Sequence, residues 1–310
     1  MLNPIQVTGT ATRIISVFGI CAGLLMATPS MTAARDFSKV EIKATKLTAG
    51  VHMLSGAGGN IGVSSGADGI FMIDDQFAPL TDKILAAIKK INSAPVKFVL
   101  NTHWHFDHTG GNENMGKKGT VIVAHDNVRK LMSADQMISA FNKKVPAAPQ
   151  AALPVITFND TTTFHMNGQT LHVRHLPSAH TGGDSFVHFV EADVIHTGDL
   201  FFNGFYPFID EEHGGSITGM IAAVGEILKL AGPNTKIIPG HGPLAGKAAL
   251  SDYREMLMKV RAGVKPLVDA GKSKSDVISA KPTQALDAEW GDGFLKPDAF
   301  VGLVYASLKK

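Results

Sequence analysis

The segment Asn101-Thr102-His103-Trp104-His105-Phe106-Asp107-His108-Thr109-Gly110-Gly111-Asn112 constrains this chain more than any other stretch. It follows directly on Val96–Leu100, a continuous apolar run of the kind found in a strand buried on both faces. His103, His105, Asp107 and His108 are too closely spaced to share one face of a helix or strand. A tight loop, eased by Gly110 and Gly111, can instead wrap them around a cation. Unpaired polar groups are costly to bury, so a buried loop this rich in lone pairs needs something to bind them. Imidazole and carboxylate donors suit Zn²⁺, with Fe and Mn also compatible.

Three further sites follow predicted strands. They are His180 in Pro177-Ser178-Ala179-His180-Thr181-Gly182-Gly183-Asp184, Asp199 in Thr197-Gly198-Asp199-Leu200, and His241 in Pro239-Gly240-His241-Gly242-Pro243. Each is weak taken singly. Their order is informative: His-x-His-x-Asp-His, His-Thr-x-Gly-Asp, Gly-Asp, Gly-His-Gly resembles the metallo-β-lactamase superfamily over roughly residues 45–260. The resemblance implies an α/β fold, the αββα sandwich of two mixed β-sheets with helices on the outer faces. It implies two Zn²⁺ ions at one edge of that sandwich. His103, His105 and His180 would hold the first ion, Asp107, His108 and His241 the second, with Asp199 bridging. It also implies attack by metal-bound hydroxide, with Asp107 orienting the nucleophile and passing on a proton. Two divalent ions less Asp107, Asp199 and a hydroxide leave a site near +1, which favours a substrate carrying a carboxylate.

The rest of the chain is consistent with such a fold. Residues 45–75 read as three short strands joined by glycine-rich turns, and residues 81–92 as an amphipathic helix. Strands are predicted at 96–100 and 121–124, with Asp126 as N-cap of the helix that follows. Residues 134–155, rich in Pro and Ala, should cross the surface, and 137–154 could wall the site. A hairpin over 162–176 turns at Asn167-Gly168. Strands are expected at 186–190, 194–196 and 236–238, and helices at 217–230 and 248–270. Residues 273–310 read as a C-terminal helical extension packed on the same domain, opened by a capping box at Ser273 and Asp276. Ser55–Asn60 reads as a flap over the site. His196 is placed to support a ligand. The aromatic segment Phe201–Phe208 passes the pocket mouth or packs beneath it.

Residues 1–34 have the pattern of a secretory signal peptide. Arg13 is the only charge before Arg35, Ile14–Ala27 is apolar, and Thr32-Ala33-Ala34 is an acceptable cleavage site. The apolar run is short of the ~20 residues of a membrane span, so no stable membrane anchor is expected after cleavage. The division is thus signal peptide 1–34, metallo-β-lactamase-fold domain 35–272 and extension 273–310, with a periplasmic or secreted destination. Cys21, the only cysteine, lies in the leader behind Phe18-Gly19-Ile20, which departs from a lipidation signal. The mature chain would then have no disulfide and no thiolate ligand. A formal charge of +2 without a basic stripe argues against nucleic acid.

The expected partner is therefore a small molecule with an apolar body and a carboxylate. The favoured reaction is opening of a cyclic amide or ester, β-lactamase-like or lactonase-like. One alternative is a thioester hydrolase of glyoxalase II type, though no basic glutathione-binding region is evident near the C-terminus. Another is a mononuclear iron oxygenase resembling persulfide dioxygenases, which the full set of seven ligands disfavours. One zinc β-lactamase subgroup has Lys three residues after its bridging position, and here that residue is Phe202. If residues 1–34 are a leader, N-terminal sequencing of exported protein should start near Ala34 or Arg35 without a lipid. An intact Met1 on cytoplasmic protein would refute the leader.

Overall fold

The computed structural model describes Met1 and residues 36–309. The leader expected over 1–34 therefore lies outside the described residues, Met1 excepted. The chain opens with four antiparallel strands, β1 (Lys43–Thr48), β2 (Val51–Ser55), β3 (Ile61–Gly66) and β4 (Gly69–Ile73). Helix α1 (Thr81–Ile91) leads to β5 (Val96–Asn101), parallel to β4. Two short helices, α2 (Phe106–Thr109) and α3 (Asn112–Gly116), precede β6 (Val121–His125) and α4 (Asp126–Met132). A small hairpin of β7 (Gln136–Ile138) and β8 (Lys143–Val145) follows, then β9 (Ile156–Phe158), which closes the first sheet beside β6.

The second sheet holds β10 (Thr161–Met166), β11 (Gln169–His175), β12 (Ser185–Phe189) and β13 (Val194–His196), with β14 (Lys236–Ile238) added parallel to β13. Helix α5 (Ile217–Leu230) joins those last two strands, and α6 (Lys247–Asp269) follows them. The C-terminal part adds α7 (Lys274–Ser279), α8 (Asp287–Trp290) and α9 (Pro297–Leu308).

Alternation of apolar residues explains the layering. The inward faces of both sheets meet in one cluster, with Phe71, Ile73, Leu100 and Val123 from the first and Leu171, Val187, Phe189 and Ile238 from the second. The outer face of the first sheet packs on Ile84 and Ile88 of α1. That of the second packs on α5, α6 and α9, with Met220, Val224, Tyr253, Leu257 and Phe300 buried together. The result is the expected αββα sandwich.

Several local readings hold. Asn167 and Gly168 both have positive φ, 57° and 69°, the left-handed pair that a type I′ hairpin turn requires. Ser273 and Asp276 form a reciprocal capping box. Others need correction. The N-cap before α4 is His125, whose ring accepts a hydrogen bond from the Asn127 N–H; β6 runs on to pair His125 with Phe158, which moves Asp126 into the first turn. Strand β5 is buried on both faces only from Val99 onward, because Lys97 remains in solvent. Residues 134–155 hold the β7–β8 hairpin, and β9 begins just after Pro154; strands of three residues are too short to show a period.

The tail is part of the core. Phe300 is fully buried and stacks on Tyr206, with ring centroids 4.6 Å apart. Truncating a buried Phe typically costs about 3–5 kcal/mol. Phe300→Ala should lower stability to chemical denaturation by that amount, and a loss under 1 kcal/mol would show the tail to be an appendage.

Candidate metal centre

All seven predicted ligands stand beyond the C-terminal ends of strands, with Asp107 and His108 on the short helix α2 rather than in the loop that the sequence suggested. His103, His105, Asp107 and His108 follow β5, His180 follows β11, Asp199 follows β13 and His241 follows β14. Because β13 and β14 run parallel in register, His196 opposite Ile238, the Asp199 and His241 loops emerge side by side. The side chains form two adjoining groups: His103, His105, His180 and Asp199, all buried, and Asp107, His108 and His241. Within each group the ligand atoms lie within 4.8 Å of one another. Asp199 touches both groups. Its Oδ1 is 3.0 Å from His108 Nε2, and its Oδ2 is 3.4 Å from both His180 and His241 and 3.7 Å from His103. Asp107 Oδ2 lies 3.3 Å from His241 Nε2.

The hydrogen bonds on the far side of each ring decide whether this arrangement fits a cation. His105 Nε2 bonds the Asp210 carboxylate at 2.9 Å, and a carboxylate only accepts. A neutral His105 therefore presents a bare Nδ1. His180 Nδ1 donates to the Phe208 carbonyl at 2.8 Å, leaving Nε2 bare. These two lone pairs lie 2.9 Å apart, and His103 Nε2 is 3.1 Å from the same His105 Nδ1. Three acceptors aimed at one point repel unless a positive ion stands between them, and imidazole nitrogens are good zinc ligands. In the second group, His108 donates Nδ1–H to Asp74 Oδ2 at 2.8 Å. Its Nε2 faces His241 Nε2 at 3.3 Å. The residues fit metal ions.

Proton affinities follow the same division. Burial, joined by the charge of His108, holds His103 well below its usual range. Burial also pushes His180 down to about 4, against the pull of Asp199. In the second group burial is outweighed. Asp199, Asp74 and Asp107 raise His108 well above the usual value, and Asp199 and Asp107 raise His241 to about 9. Burial likewise pushes Asp107 and Asp199 up, yet the His108 and His241 charges hold both far below the carboxylate range. The carboxylates thus demand positive charge at this point, from protons or from metal.

Two acids that sequence reasoning missed hold the ligands in place. Asp74, buried after β4 with φ 62°, accepts from His108 and from the Thr102 N–H and hydroxyl, at 2.8 Å each. The Thr102 oxygen is 3.1 Å from His103 Nδ1, so a single carboxylate orients rings of both groups. Asp210 holds His105 and also bonds His213 Nδ1 at 2.7 Å. The available signal was position: Asp74-Asp75 ends a fully buried strand, and Asp210 ends the aromatic segment. His196 meets backbone, not a ligand side chain, accepting from the Gly198 N–H next to Asp199. The Ser55–Asn60 turn is tied down at its second half rather than poised as a flap. Gly59 N–H donates to Asp107, Asn60 bonds Pro239, Gly240 and Gly242, and a Cβ on Gly59 would strike the His108 ring at 2.1 Å. The aromatic segment divides. Phe201, Phe202 and Tyr206 join the core, with Phe202 also stacked on His241 at 5.2 Å between centroids, and Phe208 lies against His105 and His180.

Fold and site together define a two-group His/Asp metal protein with its centre at the edge of an αββα sandwich. The family model described as the metallo-beta-lactamase superfamily matches residues 64–241, and the chain belongs to that family. Among curated proteins it is similar to the acyl-coenzyme A thioesterase MBLAC2 of Bos taurus, at 25% identity over 156 residues, 45% of this chain and 54% of that one. It is similar to a hydroxyacylglutathione hydrolase of Nitrosococcus oceani at 28% over 165 residues, 53% and 55% of the two chains. The chain spans about half the length of these curated relatives. Its fold resembles a metallo-beta-lactamase from Pontibacter korlensis, with TM-score 0.57, 22% identity and coverage of 70% of this chain and 99% of that one. It also resembles the sec-alkylsulfatase Pisa1 from Pseudomonas sp., with TM-score 0.62, 16% identity and coverage of 85% and 50%.

Removing a group that orients a metal-binding histidine typically weakens metal affinity about 10–100-fold. Asp74→Asn should do this at both groups, because it serves His108 directly and His103 through Thr102. Asp210→Asn should affect only the group containing His105. Competitive zinc titration against a chromophoric chelator reads both variants, and equal two-site losses in the two would contradict the assignment.

Proposed function

We propose that the chain is an exported binuclear zinc hydrolase that opens a cyclic ester or amide, in the manner of lactonases and β-lactamases. The observation that carries the binuclear reading is the Asp199 carboxylate, which lies between the two ligand groups and touches both. When bound, two zinc ions supply a water acidified to near neutral pH and a Lewis acid for the carbonyl oxygen. The protein's own groups do the rest. His103, His105 and His180 are oriented toward the centre by Thr102, Asp210 and the Phe208 carbonyl. Asp107 is the more open of the two carboxylates, with 21% of its side chain exposed against 5% for Asp199. That position suits it to hydrogen-bond the attacking water, take up its proton and deliver it to the leaving oxygen or nitrogen.

Thioester hydrolysis is the second reading, and the two curated relatives favour it. One is named an acyl-coenzyme A thioesterase and the other a hydroxyacylglutathione hydrolase. All three substrate classes share attack of water on an acyl carbon, so the same centre serves each. A panel of β-lactams, lactones and thioesters on zinc-loaded protein separates them.

Chelation should abolish turnover and added Zn²⁺ should restore it. Asp107→Asn keeps the size of the side chain but removes the charge and the proton acceptor. Its kcat should fall by about 10²-fold or more, in line with general acid–base contributions. Excess Zn²⁺ should refill the second group and leave most of that loss in place. Full rescue by metal would show that Asp107 is a ligand alone.

A further inference from the structure

Two segments that the metal centre does not use meet at its mouth. The β7–β8 hairpin carries Phe141 and the C-terminal tail carries Phe294, large rings that are 42% and 58% exposed. Apolar groups of this size in water mark a surface that binds something when they join into a patch. These do join. Phe141 contacts Phe294 with ring centroids 6.3 Å apart, and both reach inward. Phe141 packs on Phe208 at 4.8 Å, and Phe208 lies 5.6 Å from His105. Phe294 packs on Phe202 at 6.4 Å, and Phe202 stacks on His241. An unbroken path of rings thus runs from solvent to an imidazole of each metal group.

Both segments are seated. Lys143 Nζ lies 3.2 Å from the centroid of Phe106, which adjoins Asp107 in the metal loop; such a cation–π contact pins the hairpin to that loop. The Ser139 N–H donates to Glu212 at 2.9 Å, on the far side of the hairpin. In the tail, the Tyr206 N–H donates to the Trp290 carbonyl and its hydroxyl to Asp287. A Cβ on Gly293 would come within 2.6 Å of Phe205 Cβ and 2.9 Å of its ring, so glycine there lets the loop bearing Phe294 lie flat on the aromatic segment.

We infer that Phe141 and Phe294, backed by Phe208 and Phe202, form the binding wall for an apolar acyl chain, so that the substrate is a long-chain acyl compound. This rests on the acyl-hydrolase reading of the centre and names its substrate class. The carboxylate product of such a reaction leaves its apolar chain on the rings and its charged end at the metal centre, so simple fatty acids serve as probes.

The test is calorimetric binding of acetate, hexanoate and decanoate to zinc-loaded protein, alongside hydrolysis of p-nitrophenyl acetate and p-nitrophenyl decanoate. Burying a methylene is worth about fourfold in affinity. Decanoate should therefore bind at least about 60-fold more tightly than acetate, the gain from roughly three buried methylenes. The double variant Phe141→Ala/Phe294→Ala should lose about tenfold or more of that ratio, with acetate binding and p-nitrophenyl acetate turnover within about twofold of the parent. Because both rings are exposed, the variant should fold, and an unchanged melting temperature checks this. Equal affinity for acetate and decanoate, or a chain-length ratio unaltered in the variant, overturns the wall. A protein that binds by chain length, loses this in the variant and cleaves neither ester nor any β-lactam, lactone or thioester of the panel keeps the wall while refuting the hydrolase reading.

Discussion

Seven ligand groups are packed at one edge of the sandwich, where buried carboxylates draw positive charge to themselves, and much of the structure serves to keep them there. Bare imidazole nitrogens about 3 Å apart repel, and the Asp199 carboxylate among them is nearly shut off from solvent. Such a cluster persists only when the groups behind it are held rigidly. Asp74 does most of this. It accepts hydrogen bonds from His108, from the Thr102 hydroxyl and from the Thr102 backbone, and it is itself fully buried at the end of β4. A buried carboxylate is expensive unless every oxygen is satisfied, and here the three donors come from the loop it organises. The cost of burying the acid and the need to orient the histidines are met by the same bonds.

The fold makes this affordable by lining up strand ends. Strand β5 delivers four ligands, while the parallel pair β13 and β14 delivers Asp199 and His241 in register. Close approach of backbone finishes the work. A Cβ on Gly240 would lie 2.0 Å from Asp199 Oδ1, and one on Gly59 would overlap His108. The glycine-rich turn after β2 is therefore a strap that links the Asp107 and His241 loops through Gly59 and Asn60.

What the sequence revealed follows from these causes. The ligands were legible because four of them are crowded behind an apolar strand, and their companions each sit in a short Gly- or Pro-flanked loop. The two-sheet layering was legible from strand alternation and from the Asn167-Gly168 turn, whose left-handed backbone is a local property. Asp74 and Asp210 were not legible: an acid after a strand looks the same whether it meets water or a histidine distant in the chain, and only the folded sheet brings His105 to Asp210. The N-cap before α4 was misplaced by one residue for a related reason. Pairing of His125 with Phe158 across the sheet overrode the local preference for Asp126. The tail showed helical pattern and no chemistry, since an exposed ring such as Phe294 has no signature in a sequence.

The division between centre and rim also says where selectivity resides. The metal-holding groups are locked by Asp74, Asp210, Asn60 and two close-packed glycines, so a change there disturbs ligand geometry before it alters preference. The β7–β8 hairpin and the Phe294 loop lie outside the two sheets. They meet the centre through rings, through the Lys143–Phe106 contact and through Ile138 and Leu295, which pack in one buried cluster with Trp104 and Phe208. Substitution at Phe141 or Phe294 changes the shape and apolarity of the mouth without moving a ligand. A scaffold that shares its chemistry among many hydrolases can thus differ in substrate by altering parts that carry little of its stability. In this chain those parts present aromatic carbon, the surface on which the proposed wall for an apolar acyl group rests.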